Sequence, residues 1–385
     1  MKVRYFIILF IIVILGCKDE IPLNSVDNRT FLVVEGLITN EPGPYLIKLS
    51  SSSALSKPQF IPYTDCSITI YDNNGNSDLL TEKEPGIYYT SDDGIKGIVG
   101  NEYKITIVAP DGNEYCTDFQ AMKENIGIDS LYAQYTEQEV LGIPYSVPAY
   151  QFFIDTEIAQ NRESYFLWTI TEAYEYDVDR EIQYIETLDQ WGRSIIILHD
   201  TTYTAFRTCW KIMNLGNVFT GKTNNLNTPV INHQPLHVVT TETKKLTKRY
   251  GIVVNQYIID EQAYVYWNNI QKQSSDVNFI NSTQPLTIRG NIKNVDIEED
   301  IVLGYFTVAS VSREKLFVNA LAGPFYYSKC IVVIDEEGIV NFKEKIGPPW
   351  FFVESDNGVV GITYPDCIDC RTDGGSIEKP NFWID

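Results

Sequence analysis

Hydrophobic and polar positions alternate with a period of two along most of the chain, and turn-forming residues break the alternation at short intervals. Residues 31–38 are apolar and β-branched until Asn40-Glu-Pro-Gly-Pro44 stops the run. Residues 45–51 and 66–70 alternate again, the second run entering the turn cluster Asp72-Asn-Asn-Gly-Asn76. Pro85-Gly86 opens Ile87-Tyr-Tyr89, and residues 102–108 alternate cleanly up to Pro110-Asp-Gly112 and Glu114-Tyr-Cys-Thr117. The pattern predicts an all-β fold that begins with an immunoglobulin-like β-sandwich over residues 31–122. Residues 120–130 read as a boundary, followed by a larger β-rich domain over 123–385. Its strands are expected at 149–156, 164–171, 195–198, 207–212, 248–259, 301–311, 315–317 and 331–334. One stretch, 260–273, has helical spacing: Asp260 can cap it, Glu261 suits its first turn, and Ala263, Trp267 and Ile270 share a face.

The N-terminus departs from this pattern. Lys2 and Arg4 precede eleven consecutive apolar or aromatic residues at 5–15. That run is too short for a membrane-spanning helix, which needs about 20, and has the flanks of a secretory signal. Ile14-Leu15-Gly16-Cys17 follows at once. A small residue before a cysteine at this place resembles the lipobox of bacterial lipoproteins, which makes 1–16 a signal peptide and Cys17 the lipid anchor. Residues 17–30 then read as a polar, proline-containing tether. Lys18-Asp19-Glu20 resembles the surface-export signal of Bacteroidetes lipoproteins, so the expected location is the outer membrane, facing the cell exterior.

Composition narrows the partners. The 385 residues carry 51 acidic and 30 basic side chains, a formal net charge of −21, and offer no basic stripe for phosphates. Nucleic acid is therefore not an expected partner, and contact with the membrane is expected through the lipid alone. Setting Cys17 aside leaves six cysteines in an exported chain, Cys66, Cys116, Cys209, Cys330, Cys367 and Cys370, which suits disulfides. Six cysteines allow fifteen connectivities, among which sequence alone does not choose; Cys66 with Cys116, both in the predicted sandwich, is one guess at a pair. Cys367-Ile-Asp-Cys370 sits among loop residues and has no second pair at zinc spacing, so it reads as structural and not as a redox or metal motif.

Catalytic signatures are missing from the sequence. It holds no G-x-S-x-G, H-E-x-x-H, P-loop or G-x-G-x-x-G, and its three histidines, His199, His233 and His237, have no nucleophile at a recognisable spacing. Asp72, Asn74, Asn76 and Asp78 alternate like calcium ligands, but the glycine falls at the fourth position, so a hairpin turn explains them better. Asp335-Glu-Glu-Gly338 reads as an acidic, solvated turn. The expectation is a non-enzymatic protein with no cofactor and no metal site. Tyr174, Tyr176, Tyr184 and Trp191 fall in a polar segment, 172–193, and form the candidate recognition loop.

A set of segments spread along the chain resembles a Bacteroidetes outer-membrane lipoprotein family, domain of unknown function 4249. They are Leu32-Val-Val-Glu-Gly-Leu-Ile-Thr39, Pro85-Gly-Ile-Tyr-Tyr89, Gly100-Asn-Glu-Tyr103 and Pro110-Asp-Gly-Asn-Glu-Tyr115. Arg249-Tyr250, Ala263-Tyr-Val-Tyr-Trp267, Gly290-Asn-Ile-Lys-Asn294, Val302-Leu-Gly-Tyr-Phe306 and Ala309-Ser-Val-Ser312 continue it, and Lys379-Pro-Asn-Phe-Trp383 closes it. Ser282-Thr-Gln-Pro285 departs from the family's aromatic-rich version and is assigned no role. The resemblance implies an outer-membrane lipoprotein, often encoded beside a TonB-dependent receptor, with no catalytic residues to carry over. The function expected is that of an accessory, ligand-capturing partner of a TonB-dependent transporter in nutrient uptake, with a stand-alone adhesin as the alternative and an extracellular hydrolase third.

Overall fold

Turn chemistry sets where the chain reverses. Gly86 holds φ +73°, and a Cβ there would lie 2.5 Å from the Leu49 carbonyl oxygen, so glycine is what lets the Pro85-Gly86 turn press against its neighbour. The Asp72 carboxylate accepts from the backbone amides of Asn74 and Asn76 and from the Asn76 side-chain amide, which closes the turn after it. The computed structural model describes residues 30–53, 59–158, 163–198, 206–223, 230–275, 288–327 and 330–384. Cys17, Lys18, Asp19, Glu20 and the signal peptide lie outside the described residues, as do His199 and the Ser282–Pro285 segment.

The protein is all-β, with 47% of residues in strands and 10% in helices. Its principal strands are β1 (Leu32–Thr39), β2 (Leu46–Ser51), β3 (Ser67–Asp72), β4 (Glu102–Val108) and β5 (Glu114–Cys116). After these come β6 (Ser130–Gln138), β7 (Val147–Glu157), β8 (Tyr165–Asp177), β9 (Ile182–Leu188), β10 (Ser194–Leu198), β11 (Thr208–Asn214), β12 (Val230–Thr240) and β13 (Tyr250–Ile259). The chain then forms α1 (Glu261–Ser275), β14 (Leu303–Val318), α2 (Glu336–Ile346), β15 (Trp350–Glu354) and β16 (Val360–Thr363).

A ten-stranded sheet contains the path β11-β8-β13-β14-β1-β2 and continues into Ile87–Tyr89 and Thr81–Glu84. Within it β1 and β14 pair in parallel, from Val33 opposite Leu303 to Thr39 opposite Ala309. This ladder passes through the boundary drawn at 122: the first core holds Ile68, Ile70, Ile105 and Ile107 from the sheet around β3 and β4, but also Ile292, Val302, Phe306 and Val308. A second core lies between the β6-β7-β12 sheet and the β8-β13 part of the long sheet, with Phe152, Trp168, Tyr174, Tyr176, Tyr250 and Ile252 at its centre. Helix α1 covers the opposite face, packing Ala263 and Tyr266 against Tyr257, Ile259, Tyr305 and Val311. Strand β13 is therefore enclosed on both sides, which is why it reads as an apolar run, interrupted at Asn255-Gln256, and not as an alternation. As its sequence predicts, α1 is capped by Asp260, whose carboxylate accepts from the Ala263 amide at 2.8 Å.

Three expectations need correction. Asp335-Glu-Glu-Gly338 is not a loop turn: Asp335 caps α2 and accepts from the Gly338 amide, while Glu336 and Glu337 sit in the first turn, where acids suit the helix dipole. Residues 331–334 are not a strand either, and make a single bridge from Val333 to Ile362. Cys66 and Cys116 are both free thiols. They flank β4 on opposite sides, since β3 and β5 each pair with it, so two inter-strand spacings of ~4.8 Å keep them apart, beyond the ~7 Å Cα reach of a disulfide. Burial also pushes the Cys66 thiol up to about 11, which keeps it protonated. The other four cysteines join as Cys209–Cys370 and Cys330–Cys367, with Cα separations of 5.8 and 5.6 Å. The C-x-x-C pair thus ties the tail to two distant segments and does not close on itself.

Candidate functional site

Strand β8 decides the fate of the predicted recognition loop. Phe166, Trp168, Ile170, Glu172, Tyr174 and Tyr176 fall on one face of it, and that face is the second core. Tyr174 and Tyr176 are consequently buried, and Tyr176 Oη donates to the Cys370 carbonyl at 2.9 Å. Tyr184 lies on β9 and stacks on Phe352 with centroids 4.5 Å apart. Of the four aromatics, Trp191 alone is largely exposed, at 70%, in the turn joining β9 to β10. There the Arg193 guanidinium stands 4.9 Å above its ring and pairs with Asp189 at 2.9 Å. Residues 172–193 are thus two strands and two turns, and three of the four aromatics pack inward.

The same face carries what the sequence reading missed. Glu172 has the parity of Trp168 and Tyr174 and is fully buried. Lys245 Nζ donates to its Oε1 at 2.5 Å, and Tyr250 Oη donates to its Oε2 at 2.7 Å. His237, on β12, faces them from the opposing sheet, with Nε2 3.8 Å from Glu172 Oε2 and no partner of its own. Burial pulls the His237 imidazole down to about 4, with Glu172 opposing and Lys245 adding to the shift, so the ring is neutral at pH 7. A neutral ring at 3.8 Å makes neither an ion pair nor a hydrogen bond, so the short contacts to Lys245 and Tyr250 are the ones that neutralise Glu172. A second buried group, Gln256, accepts from Trp168 Nε1 at 2.8 Å and Thr156 Oγ1 at 2.9 Å and donates to the Ile126 carbonyl. The Gln256 network ties the two sheets together through Thr156, while the Glu172 network links β8, β13 and the segment that leads from β12 into β13. They do the work of structural joints.

A cleft of about 260 Å³ lies between the end of β8 and the C-terminal region, lined by Asp177, Asp179, Arg180, Lys248, Tyr327 and Asp356 among others. Its charges are already engaged. Lys248 pairs with Asp177 at 2.7 Å, Arg180 with Asp356 at 2.8 Å, and Asp179 accepts from the Cys330 amide. Two features of the surface remain unpaired in chemistry. The β6–β7 hairpin ends in Val140-Leu-Gly-Ile-Pro-Tyr145, where Leu141 is fully exposed and Tyr145 and Tyr135 are largely so. Strand β10 exposes all of Ile195, Ile196, Ile197 and Leu198. Isolated exposed apolar residues are ordinary, whereas such runs mark contact surfaces. Sequence offered a signal for the second: four aliphatic residues in a row cannot all point to one core from a strand.

A family model described as a domain of unknown function (DUF4249) matches residues 18–315. No curated protein matches the chain. Among solved structures, a chain titled "Biofilm associated protein - B domain" is 8% identical over 74% of this chain and 86% of that one, at a TM-score of 0.12, which supports no argument about fold or role.

Proposed function

The chain belongs to the DUF4249 family, a family of unknown function, and from that premise we propose that it is a surface-exposed, lipid-anchored outer-membrane protein that partners a TonB-dependent transporter in nutrient uptake. The observation that carries a binding role is the apolar tip of the β6–β7 hairpin, presented by a strongly acidic all-β body. The lipobox ending in Cys17 and the Lys18-Asp19-Glu20 signal supply the anchor and the side of the membrane. Removal of the signal peptide takes away Lys2 and Arg4, leaving 30 − 2 = 28 basic against 51 acidic residues, a body that an anionic lipid surface repels. A tethered body of this charge meets its partner through local apolar contacts at positions such as Leu141 and Tyr145, where charge is absent. The role proposed is one of binding, and the cleft's charged side chains pair with one another.

The test is a pull-down through a C-terminal tag from gently solubilised outer membranes. A TonB-dependent barrel in stoichiometric amount is expected, and Leu141→Asp with Tyr145→Asp should release it while leaving the circular dichroism of the protein unchanged. Repeated recovery of the lipoprotein alone overturns the transporter partnership and moves the weight to a stand-alone adhesin.

A further inference from the structure

Strand β14 is a ruler along the molecule. It runs as one strand from Leu303 to Val318, 16 residues. Its first part pairs with β1, starting at Leu303 beside Val33, and the rest pairs with β13, ending at Val318 beside Tyr250. At about 3.3 Å per residue its two ends stand ~50 Å apart. The tether, residues 17–30, joins the body at the Leu303 end, because β1 starts there.

The β6–β7 hairpin points the other way. Thr156, near the end of β7, donates to Gln256, whose partner on β14 is Ser312. Closer to the hairpin, Phe152 packs on Tyr250, level with Val318, with ring centroids 5.9 Å apart. Strand β7 therefore climbs the ruler from the level of Ser312 to that of Val318, and its residues from Gln151 back to Val147 continue past it. The foot of the hairpin is fixed there: the Thr241 amide donates to the Pro148 carbonyl and the Tyr326 amide to the Thr241 carbonyl, both at 3.0 Å. Leu141 and Tyr145 thus crown the pole opposite to the tether, more than ~50 Å from the start of β1.

Charge and tether length argue what meets that pole. From Gln134 to Pro148 the only charged residues are Glu137 and Glu139, both exposed and both close to the fully exposed Leu141. An acidic, apolar tip gains nothing from an anionic lipid surface, and gains from an apolar socket with a basic rim. A flexible tether of residues 17–30 spans about 20 Å on average, which keeps the β1 end near the bilayer while the acidic body stands away from it. We propose that the hairpin tip is the membrane-distal pole of the anchored protein and docks into an apolar, basic-rimmed socket on the part of the transporter that projects outside the bilayer. The inference rests on the lipid anchor and the transporter partnership proposed above, and adds where on each partner the contact lies.

The experiment uses the full, lipidated chain, purified from membranes and reconstituted into vesicles of phosphatidylethanolamine and phosphatidylglycerol that carry a rhodamine-labelled lipid. Donor fluorophores go on Tyr145→Cys and on Ile297→Cys, an exposed position shortly before β14, each in a Cys66→Ser, Cys116→Ser background that removes the two free thiols. Energy transfer to the lipid should be severalfold stronger from position 297 than from position 145. Equal transfer from the two, or stronger transfer from 145, overturns the proposal and leaves the anchor standing. A chain that does not float with the vesicles overturns the anchor, and the proposal with it. In the pull-down, Glu137→Lys with Glu139→Lys should lower recovery of the barrel by roughly tenfold at low salt, whereas Ile297→Asp should leave it unchanged. Recovery indifferent to the charge reversal, or lost with Ile297→Asp, overturns the basic-rimmed socket. Absence of any barrel overturns the partnership and the socket together, while the transfer measurement still reads the placement of the tip.

Discussion

His237 gives the sharpest quantitative expectation. Its ring is enclosed between Phe152 and Tyr250, and its imidazole sits at about 4 in the folded protein against 6.5 when free. The sign follows from linkage: the unfolded chain takes up a proton as pH falls through 6.5, while the folded one does not until about 4, so stability is lost across that window and levels off below it. The gap between 6.5 and about 4 corresponds to roughly 3 kcal/mol, at about 1.36 kcal/mol for each tenfold change in proton affinity. Urea unfolding at a series of pH values from 7 to 4 measures it, with His237→Phe as the comparison. Phenylalanine keeps the aromatic packing, and the Nε2 it removes has no hydrogen-bond partner to lose. The variant should be nearly as stable as the parent at pH 7 and should lose about 3 kcal/mol less by pH 4, the remaining carboxylate titrations being common to both. Parallel stability curves for the two proteins would refute the reasoning, and would mean that water or Glu172 already solvates the protonated ring.

Further outcomes follow from the same structure. Glu172→Ala strands Lys245 in a partly buried place and should cost about 3 kcal/mol in urea unfolding, whereas Glu172→Leu combined with Lys245→Met should recover much of it, because an apolar pair replaces a desolvated ion pair at little net cost. Peptide mapping without reduction should find Cys209 joined to Cys370 and Cys330 to Cys367, with Cys66 and Cys116 alkylated after unfolding. Cys330→Ser should lower stability by roughly 4 kcal/mol, the chain-entropy value for a loop of 37 residues, read from the denaturation midpoint. Gly86→Ala forces a side chain into a left-handed backbone against the Leu49 carbonyl and should cost more than ~1 kcal/mol in the same assay.

Strand periodicity and turn residues made the β build, helix α1 and its Asp260 cap legible before any coordinates. What stayed hidden has physical causes. The parity of β8 is set by its apolar half, Phe166, Trp168 and Ile170, and carrying it forward puts Glu172, Tyr174 and Tyr176 inside; the acids between them suggested solvent instead. Lys245 and Tyr250, which make that burial tolerable, lie more than seventy residues away, and no local pattern couples them. Disulfide partners were equally non-local, since Cys66 and Cys116 are close in sequence yet separated by β4, while Cys209 reaches Cys370 across 161 positions. Helix α2 was missed because its capping acids look the same as a solvated turn until the amides they accept from are in view.

The parallel ladder between β1 and β14 imposes an order on biogenesis. Val33 leaves the ribosome long before its partner Leu303, and 303 − 33 = 270 residues must follow before the ladder can close. Until then the first sandwich lacks Ile292, Val302, Phe306 and Val308, and β1 presents an unpaired apolar edge. A fragment stopping at residue 122 is thus an incomplete body and a target for proteases. The same late closure binds the first described strand to the last third of the chain, so a truncated product fails as a whole and does not persist as a partial, half-functional domain.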